Sequence, residues 1–398
     1  MRVALATREF PPEVYGGAGV HVEHLAAELA RLVDVEVHAF GGPRPSPLVV
    51  GTYRPWDALV SDARESGALQ AMSVDLAMAG RLALADVAHT HTWYANLAGH
   101  LAHLISGVPH VATSHSLEPL RPWKVEQLGG GYRVSSWCER VSLEAADAVI
   151  AVSAGMRDDV LRAYPAVSPE RVHVVHNGID PDVYRPAETA GALARWGVDP
   201  AAPSVMFVGR VTRQKGLVHL LDAARSIDRA AQVVVCAGAP DTADIAAEVR
   251  VAADRARADG VRLVWIDEML PRGDVVELLS HATVFVCPSV YEPFGLINLE
   301  AMACATAVVA TAVGGIPEVV VDGATGFLVP FDRGNDAFGS PRDPARLARD
   351  LAEKVNVLLA DPELAARFGA AGRRRVVERF SWQAVAARTV EVYRSVMR

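Results

Sequence analysis

Lysine is nearly missing from this chain. Of its 398 residues only Lys124, Lys215 and Lys354 are lysine, and the remaining cations are arginine. A GC-rich genome accounts for the bias. It also marks each retained lysine as a place where a compact point charge serves better than a guanidinium fork. A stripe of basic charge is missing too. Lys+Arg total 39 against 47 Asp+Glu, a net charge of −8, so no nucleic-acid partner is expected. No apolar run reaches the roughly 18 residues of a membrane-crossing helix, so no membrane partner is expected either. The four cysteines, Cys138, Cys236, Cys287 and Cys304, have no C-x-x-C spacing. That argues against a disulfide framework or a zinc site and for buried thiols in a reducing compartment. The stretch Met1–Arg8 is charged at both ends and too short for a signal peptide, so it reads as a first strand of a cytoplasmic protein.

What is present is a folding chain of two or three domains. It is 51% hydrophobic and 22% charged, enough apolar surface for sizeable cores. Short apolar strands alternate with longer amphipathic stretches, the pattern of α/β folds with parallel sheets. In the first half, strands are expected at 3–7, 35–40, 87–90, 108–113 and 148–152, and a helix at 20–32 with Val22, Leu25, Leu29 and Leu32 on one face. A turn-rich, Ala/Pro-rich stretch near 180–200 reads as a linker. A second series of strands follows at 204–209, 232–237, 261–266, 283–287, 307–311 and 326–329. Residues 334–341 read as a polar loop, and 344–360 and 365–398 as helices. The expected architecture is two doubly wound domains, 1–180 and 181–380, with 381–398 as a terminal helix. Ligands of such folds bind beyond the carboxyl ends of the strands, which puts the expected site in the cleft between the domains.

Several motifs sit at those strand ends. Pro288–Met302 follows an apolar strand and opens a helix near Gly295. The backbone N–H groups of Phe294, Gly295 and Leu296 then form a ready anion site. Glu292 and Glu300 bracket the turn, Glu292 at its mouth and Glu300 where it can accept from ribose hydroxyls. Gly209-Arg210…Lys215-Gly216 lies at the start of the second series, where two cations can neutralise a leaving diphosphate. Ala312-Val313-Gly314-Gly315-Ile316-Pro317-Glu318 is a βα turn open to close backbone approach. Tyr15-Gly16-Gly17-Ala18-Gly19 resembles a phosphate-cradling turn, with Gly17 N–H as donor. It lacks the full G-x-G-x-x-G pattern and the P-loop ending. His89 and His91 alternate on a strand end, but no third ligand has suitable local spacing, so no metal and no cofactor are expected. His91 and Tyr94 are read as lining a sugar pocket, and His115 ends another strand. In Leu117–Lys124, Trp123 offers a stacking face, and Arg121 and Lys124 suit a phosphate.

Together these residues resemble the family-4 retaining glycosyltransferases of the GT-B fold over nearly the whole chain. The carriers are Glu292 and Glu300 with Phe294-Gly295-Leu296, Gly209-Arg210…Lys215-Gly216, and Asn177-Gly178-Ile179-Asp180. Within that family, the stretches Thr7–Val22, His91–Tyr94 and Ser116–Lys124 are similar to the actinobacterial glycogen synthases. The resemblance implies an ADP-glucose donor, retention at the anomeric carbon without a metal, and α-glucose 1-phosphate or an α-glucan end as acceptor. It further implies Glu292, Arg210, Lys215 and His115 as catalytic groups, and Gly17, Phe294, Gly295, Leu296 and Glu300 on the donor. His91, Tyr94, Arg121 and Lys124 are implied on the acceptor. Typical bacterial glycogen synthases carry a lysine in a K-x-G-G-L turn, where this chain reads Val14-Tyr15-Gly16-Gly17-Ala18. Homo-oligomerisation is left open.

Overall fold

The computed structural model describes residues 1–61, 63–336 and 338–397. The chain divides into two compact units: Met1–Gly178 together with Trp382–Arg398, and Ile179–Ser381.

Unit 1 carries a seven-stranded sheet of β1 (Arg2–Thr7), β2 (Asp34–Phe40), β3 (Val49–Tyr53), β4 (Val87–His91), β5 (His110–Ser114), β6 (Ala148–Ala151) and β7 (Val172–Val174). Its strand order is β3-β2-β1-β4-β5-β6-β7, and every pairing is parallel. Unit 2 carries β8 (Ser204–Val208), β9 (Gln232–Cys236), β10 (Arg262–Ile266), β11 (Val284–Cys287), β12 (Ala307–Thr311) and β13 (Gly326–Val329). They are ordered β10-β9-β8-β11-β12-β13, again all parallel. Both sheets therefore run outward from their first strand, then jump back to the other side of it. That reversal opens a crevice between β1 and β4 in unit 1 and between β8 and β11 in unit 2, where doubly wound sheets bind ligands.

Strands covered by helices on both faces are uniformly apolar. β6 (AVIA), β11 (VFVC) and β12 (AVVAT) are buried throughout. The two strands absent from the sequence reading, β3 and β7, lie at the sheet edge and are only half-buried. The first helix runs Gly17–Leu29 and buries Val22, Leu25 and Leu29. Leu32, expected on its apolar face, lies beyond the helix end and is exposed. The helical stretch over 365–398 is two helices, Pro362–Arg379 and Trp382–Val396. They part at Phe380, whose carbonyl accepts from Ile179 N–H at 2.8 Å. Trp382, Val390 and Tyr393 of the last helix join Val3, Leu5, Val22 and Leu25 in the unit 1 core. All four cysteines are free and buried. No helix among the described residues is long and apolar enough to cross a membrane. The polar loop at 334–341 closes on itself through Gly334 N–H to the Ser340 carbonyl, with Ala337 outside the described residues.

Candidate active site

In unit 2 three loops meet beyond the strand ends, and glycines let them do so. After β8 the chain makes a 3-10 turn, Arg213–Lys215, capped by Thr212, whose hydroxyl accepts from Lys215 N–H. Gly216 ends the turn at φ +62°, and a Cβ there would stand 2.0 Å from the Pro288 carbonyl oxygen. The loop after β11 is held to the same turn by Val290 N–H on the Gln214 carbonyl, 2.9 Å. After β12, Gly314 has φ +53°, and its Cβ would fall 2.0 Å from the Glu292 carbonyl oxygen. That oxygen accepts from Gly315 N–H at 3.0 Å. The Gly-Gly turn, read from sequence as a common βα turn, is thus a backbone clamp on Glu292.

The clamp delivers Glu292 to Lys215. Lys215 Nζ lies 2.7 Å from Glu292 Oε2, and Ser289 Oγ donates to the same oxygen at 3.3 Å. Burial works against the Lys215 ammonium, yet the adjoining Glu292 carboxylate outweighs it and leaves the pKa raised. Lys215 therefore stays charged. Arg210 lies beside Asp241, Nη1 to Oδ1 3.2 Å. Gly295, at φ +99°, starts the helix Leu296–Ala303, so the Leu296 and Ile297 amides begin a helix with no intrahelical acceptor. The Phe294 ring is buried and meets Phe380 edge to face. Glu300, one turn into the helix, is pushed up to about 7 by burial, against the Tyr184 hydrogen bond and the Arg272 charge. Arg210, Glu292 and Glu300 thus interact electrostatically with Lys215 beyond the strand ends, and Phe294, Gly295 and Leu296 follow Glu292 at the start of the helix. Sequence reading missed Tyr184, and also Asn298, a fully buried amide whose Nδ2 and Oδ1 have no partner among the described residues.

In unit 1 the crevice between β1 and β4 is lined by histidines and aromatics. His91 ends β4 with Nδ1 3.1 Å from His115 Nε2. The next residue, Thr92, has φ +65°, strained for a β-branched side chain. Tyr94 stacks on Trp93, and the Arg8 guanidinium carbon lies 4.1 Å from its ring centroid. Burial raises the Tyr94 hydroxyl, with the charges of Arg8, Glu118, Arg121 and Glu9 acting on it. Arg8 was missed because it directly follows a strand without a motif. Gly17 opens its helix, but the amides just before it are occupied. Tyr15 and Gly16 N–H donate to Glu9 Oε2 at 2.9 and 2.7 Å. His89 lies in the core, tied to Tyr393 and Thr113 by bonds of 2.6 and 2.7 Å.

The segment after β5 is not a solvated loop. Trp123 and Lys124 are buried, so Trp123 offers no open stacking face, contrary to expectation. Arg121 donates to Ser116 Oγ at 2.9 Å and lies 3.7 Å from Glu118 Oε1. Glu118 in turn packs on Glu139, whose Oε1 accepts from Glu118 N–H and from the Tyr164 hydroxyl. Burial and the Glu118 charge push Glu139 up to about 8.

The chain matches known proteins. Residues 15–183 fit the model of Glycosyltransferase Family 4 and residues 194–340 that of Glycosyl transferases group 1. The chain is 58% identical to the alpha-maltose-1-phosphate synthase of Mycolicibacterium smegmatis, covering all of both chains. It is 32% identical to the D-inositol 3-phosphate glycosyltransferase of Streptomyces bingchenggensis, covering 96% of this chain and 85% of that one. The structure of the sucrose-phosphate synthase of Thermosynechococcus elongatus superposes with a TM-score of 0.81 at 27% identity, over 99% of this chain and 98% of that one. The chain therefore belongs to the family-4 glycosyltransferases, and its two nucleotide-binding-type sheets are those of the GT-B fold.

Proposed function

We propose that this enzyme transfers the glucosyl group of ADP-glucose to α-glucose 1-phosphate, forming α-maltose 1-phosphate and ADP with retention at the anomeric carbon. The reading is carried by the 58% identity, over the whole of both chains, to a relative named alpha-maltose-1-phosphate synthase. The chemistry of the unit 2 crevice supports it. Transfer breaks the bond from the anomeric carbon to the donor's phosphate oxygen, so negative charge grows on the leaving diphosphate. Lys215, Arg210 and the amides at Phe294, Gly295 and Leu296 supply positive potential for that charge. Glu292 accepts from the donor sugar hydroxyls and favours positive charge at the reacting carbon. Glu300 accepts from the ribose, and Gly17 adds a backbone donor. The acceptor hydroxyl forms the new bond on the same face and passes its proton to the departing phosphate oxygen. His115 orients the donor sugar. His91 and Tyr94 hold the acceptor sugar, and Arg121 and Lys124 its phosphate.

The test offers ADP-glucose with α-glucose 1-phosphate and with glycogen in separate reactions. Maltose 1-phosphate with little glycogen elongation is the expected product pattern. Glycogen elongation alone would retain the donor assignments and remove the phosphate roles of Arg121 and Lys124. No transfer to either acceptor would refute the donor.

A further inference from the structure

Three histidines from separate elements of unit 1 converge. His21 projects from the helix Gly17–Leu29, His91 ends β4, and His115 follows β5. One ring nitrogen of each lies within 4.8 Å of the other two, and the His21 and His115 ring centroids are 4.7 Å apart. His21 and His91 are almost fully buried, at 2% and 0% exposure, and the Nε2 atom of each has no partner among the described residues. Buried polar atoms are normally satisfied, so the unpartnered His21 Nε2 beside the His91–His115 pair calls for a ligand.

The protonation pattern suits a cation. Asn177 Oδ1 lies 2.8 Å from His21 Nδ1. An amide oxygen only accepts, so Nδ1 carries the proton and Nε2 keeps a lone pair. This is the outer-shell hydrogen bond that commonly orients a metal-binding histidine. His91 Nδ1 and His115 Nε2, 3.1 Å apart, must share a proton. Two nitrogens on a tetrahedral zinc are separated by about 3.3 Å, given bonds of about 2.0–2.1 Å. That pair already has the required spacing, and His21, within 4.8 Å, needs to approach by up to about 1.5 Å. Burial lowers the pKa of all three imidazoles, with nearby histidine charges adding to it, so they are neutral near pH 7, the form that binds metals.

We infer that His21, His91 and His115 form a site for a borderline divalent cation of the Zn²⁺ or Co²⁺ class, and that its occupation competes with sugar binding. Imidazole ligands select this class over Mg²⁺ or Ca²⁺. As the cation binds, the proton between His91 and His115 moves by way of water to the far nitrogen of its own ring, so each imidazole stays neutral, and three nitrogen–metal bonds form. The fourth position is left to water. The competition rests on the function proposed above, because it engages His91 and His115 as sugar ligands. The cation is no part of the transfer step.

The test uses the full-length chain without an affinity tag, stripped by chelator and titrated with Co²⁺. One cobalt per chain with intense visible absorption is expected. His21→Asn and His91→Gln should each weaken binding at least tenfold, whereas His281→Gln, in unit 2, should not change it. Melting temperatures of the metal-free variants separate lost ligands from lost fold, and two variants guard against one failing to fold. Unchanged cobalt spectra in both variants, or no visible band at saturating cobalt, would overturn the site. In the second arm, Zn²⁺ should inhibit maltose 1-phosphate formation by the wild type. It should act at least tenfold more weakly on His21→Asn, relative to that variant's own metal-free rate. Cobalt binding without zinc inhibition would overturn the competition alone. Cobalt binding by a chain that makes no maltose 1-phosphate, with or without chelator, would refute the proposed reaction and leave the site standing.

Discussion

Lys215 has two tasks that a substitution can separate. It balances a carboxylate that is only 8% exposed, and it supplies positive potential to the crevice. Lys215→Ala should lower kcat by about 10²–10³-fold, the cost of losing one preorganised electrostatic contact to developing charge. It should also lower stability by about 1–3 kcal/mol, because Glu292 loses a charged partner. Urea unfolding and single-turnover kinetics on the same preparation measure the two effects. Lys215→Arg keeps the charge and should recover most of the stability. Its planar fork cannot place one compact ammonium at the same point, so most of the kcat loss should remain. Equal recovery of both quantities would mean that net charge alone matters there. In a chain that uses arginine almost everywhere else, this position was legible from composition. His21 was not, since on an amphipathic helix it looks like any other buried-face residue. Glu9 was equally hidden, because its carboxylate folds back onto amides six and seven residues on.

At the scale of elements, the loops beyond β8, β11 and β12 depend on one another. Gly260 and Gly314 make the dependence measurable, since both have positive φ but different surroundings. Around Gly260, at φ +82°, nothing lies within 4 Å of an added Cβ, whereas at Gly314 a Cβ would strike the Glu292 carbonyl oxygen. Gly260→Ala should cost about 1–2 kcal/mol, the strain of a left-handed alanine. Gly314→Ala should cost more and should also displace Glu292, lowering kcat where Gly260→Ala leaves it unchanged. Paired denaturation and turnover measurements check this, and equal effects on kcat would deny the clamp. The central strands could be read from sequence because burial on both faces leaves only apolar residues. β12 and β13 occupy the residues expected of them. Edge strands β3 and β7 carry a weaker pattern because one side of each has no neighbouring strand. The gathering of Arg210, Lys215, Glu292 and Glu300 was legible for a related reason: parallel sheets direct all their strand ends the same way. The burial of Trp123 was not, because the 3-10 turn that carries it, Pro122–Lys124, is too short to show an apolar period.

At the scale of the whole molecule, the buried imidazoles are unevenly distributed. Burial lowers the pKa of His21 and His38 to about 4 and of His110 to about 3, and it also lowers His89, His91, His100, His115 and His173. All of these lie in unit 1, whereas His219 is the only histidine so affected among the described residues of unit 2. A folded pKa below the unfolded 6.5 gives stability that is complete above pH 6.5 and lost as pH falls through the folded value. For His21 alone the loss is on the order of 3 kcal/mol. Asp75 and Glu139, raised by burial, act in the opposite sense, but they are two groups against eight. Hydrogen exchange at pH 7 and pH 4.5, corrected for intrinsic rates, should show unit 1 losing protection first on acidification. Simultaneous loss in both units would refute the imbalance. Unit 1 is also the unit interrupted in the chain, since its last helix follows Ser381. The ribosome therefore delivers unit 1 in two batches, with all of unit 2 made between them. The first batch emerges with Val3, Leu5, Val22 and Leu25 still awaiting Trp382 and Tyr393. The half of the protein translated first is thus the half that completes its core last, and it waits in that state while unit 2 is made and folds.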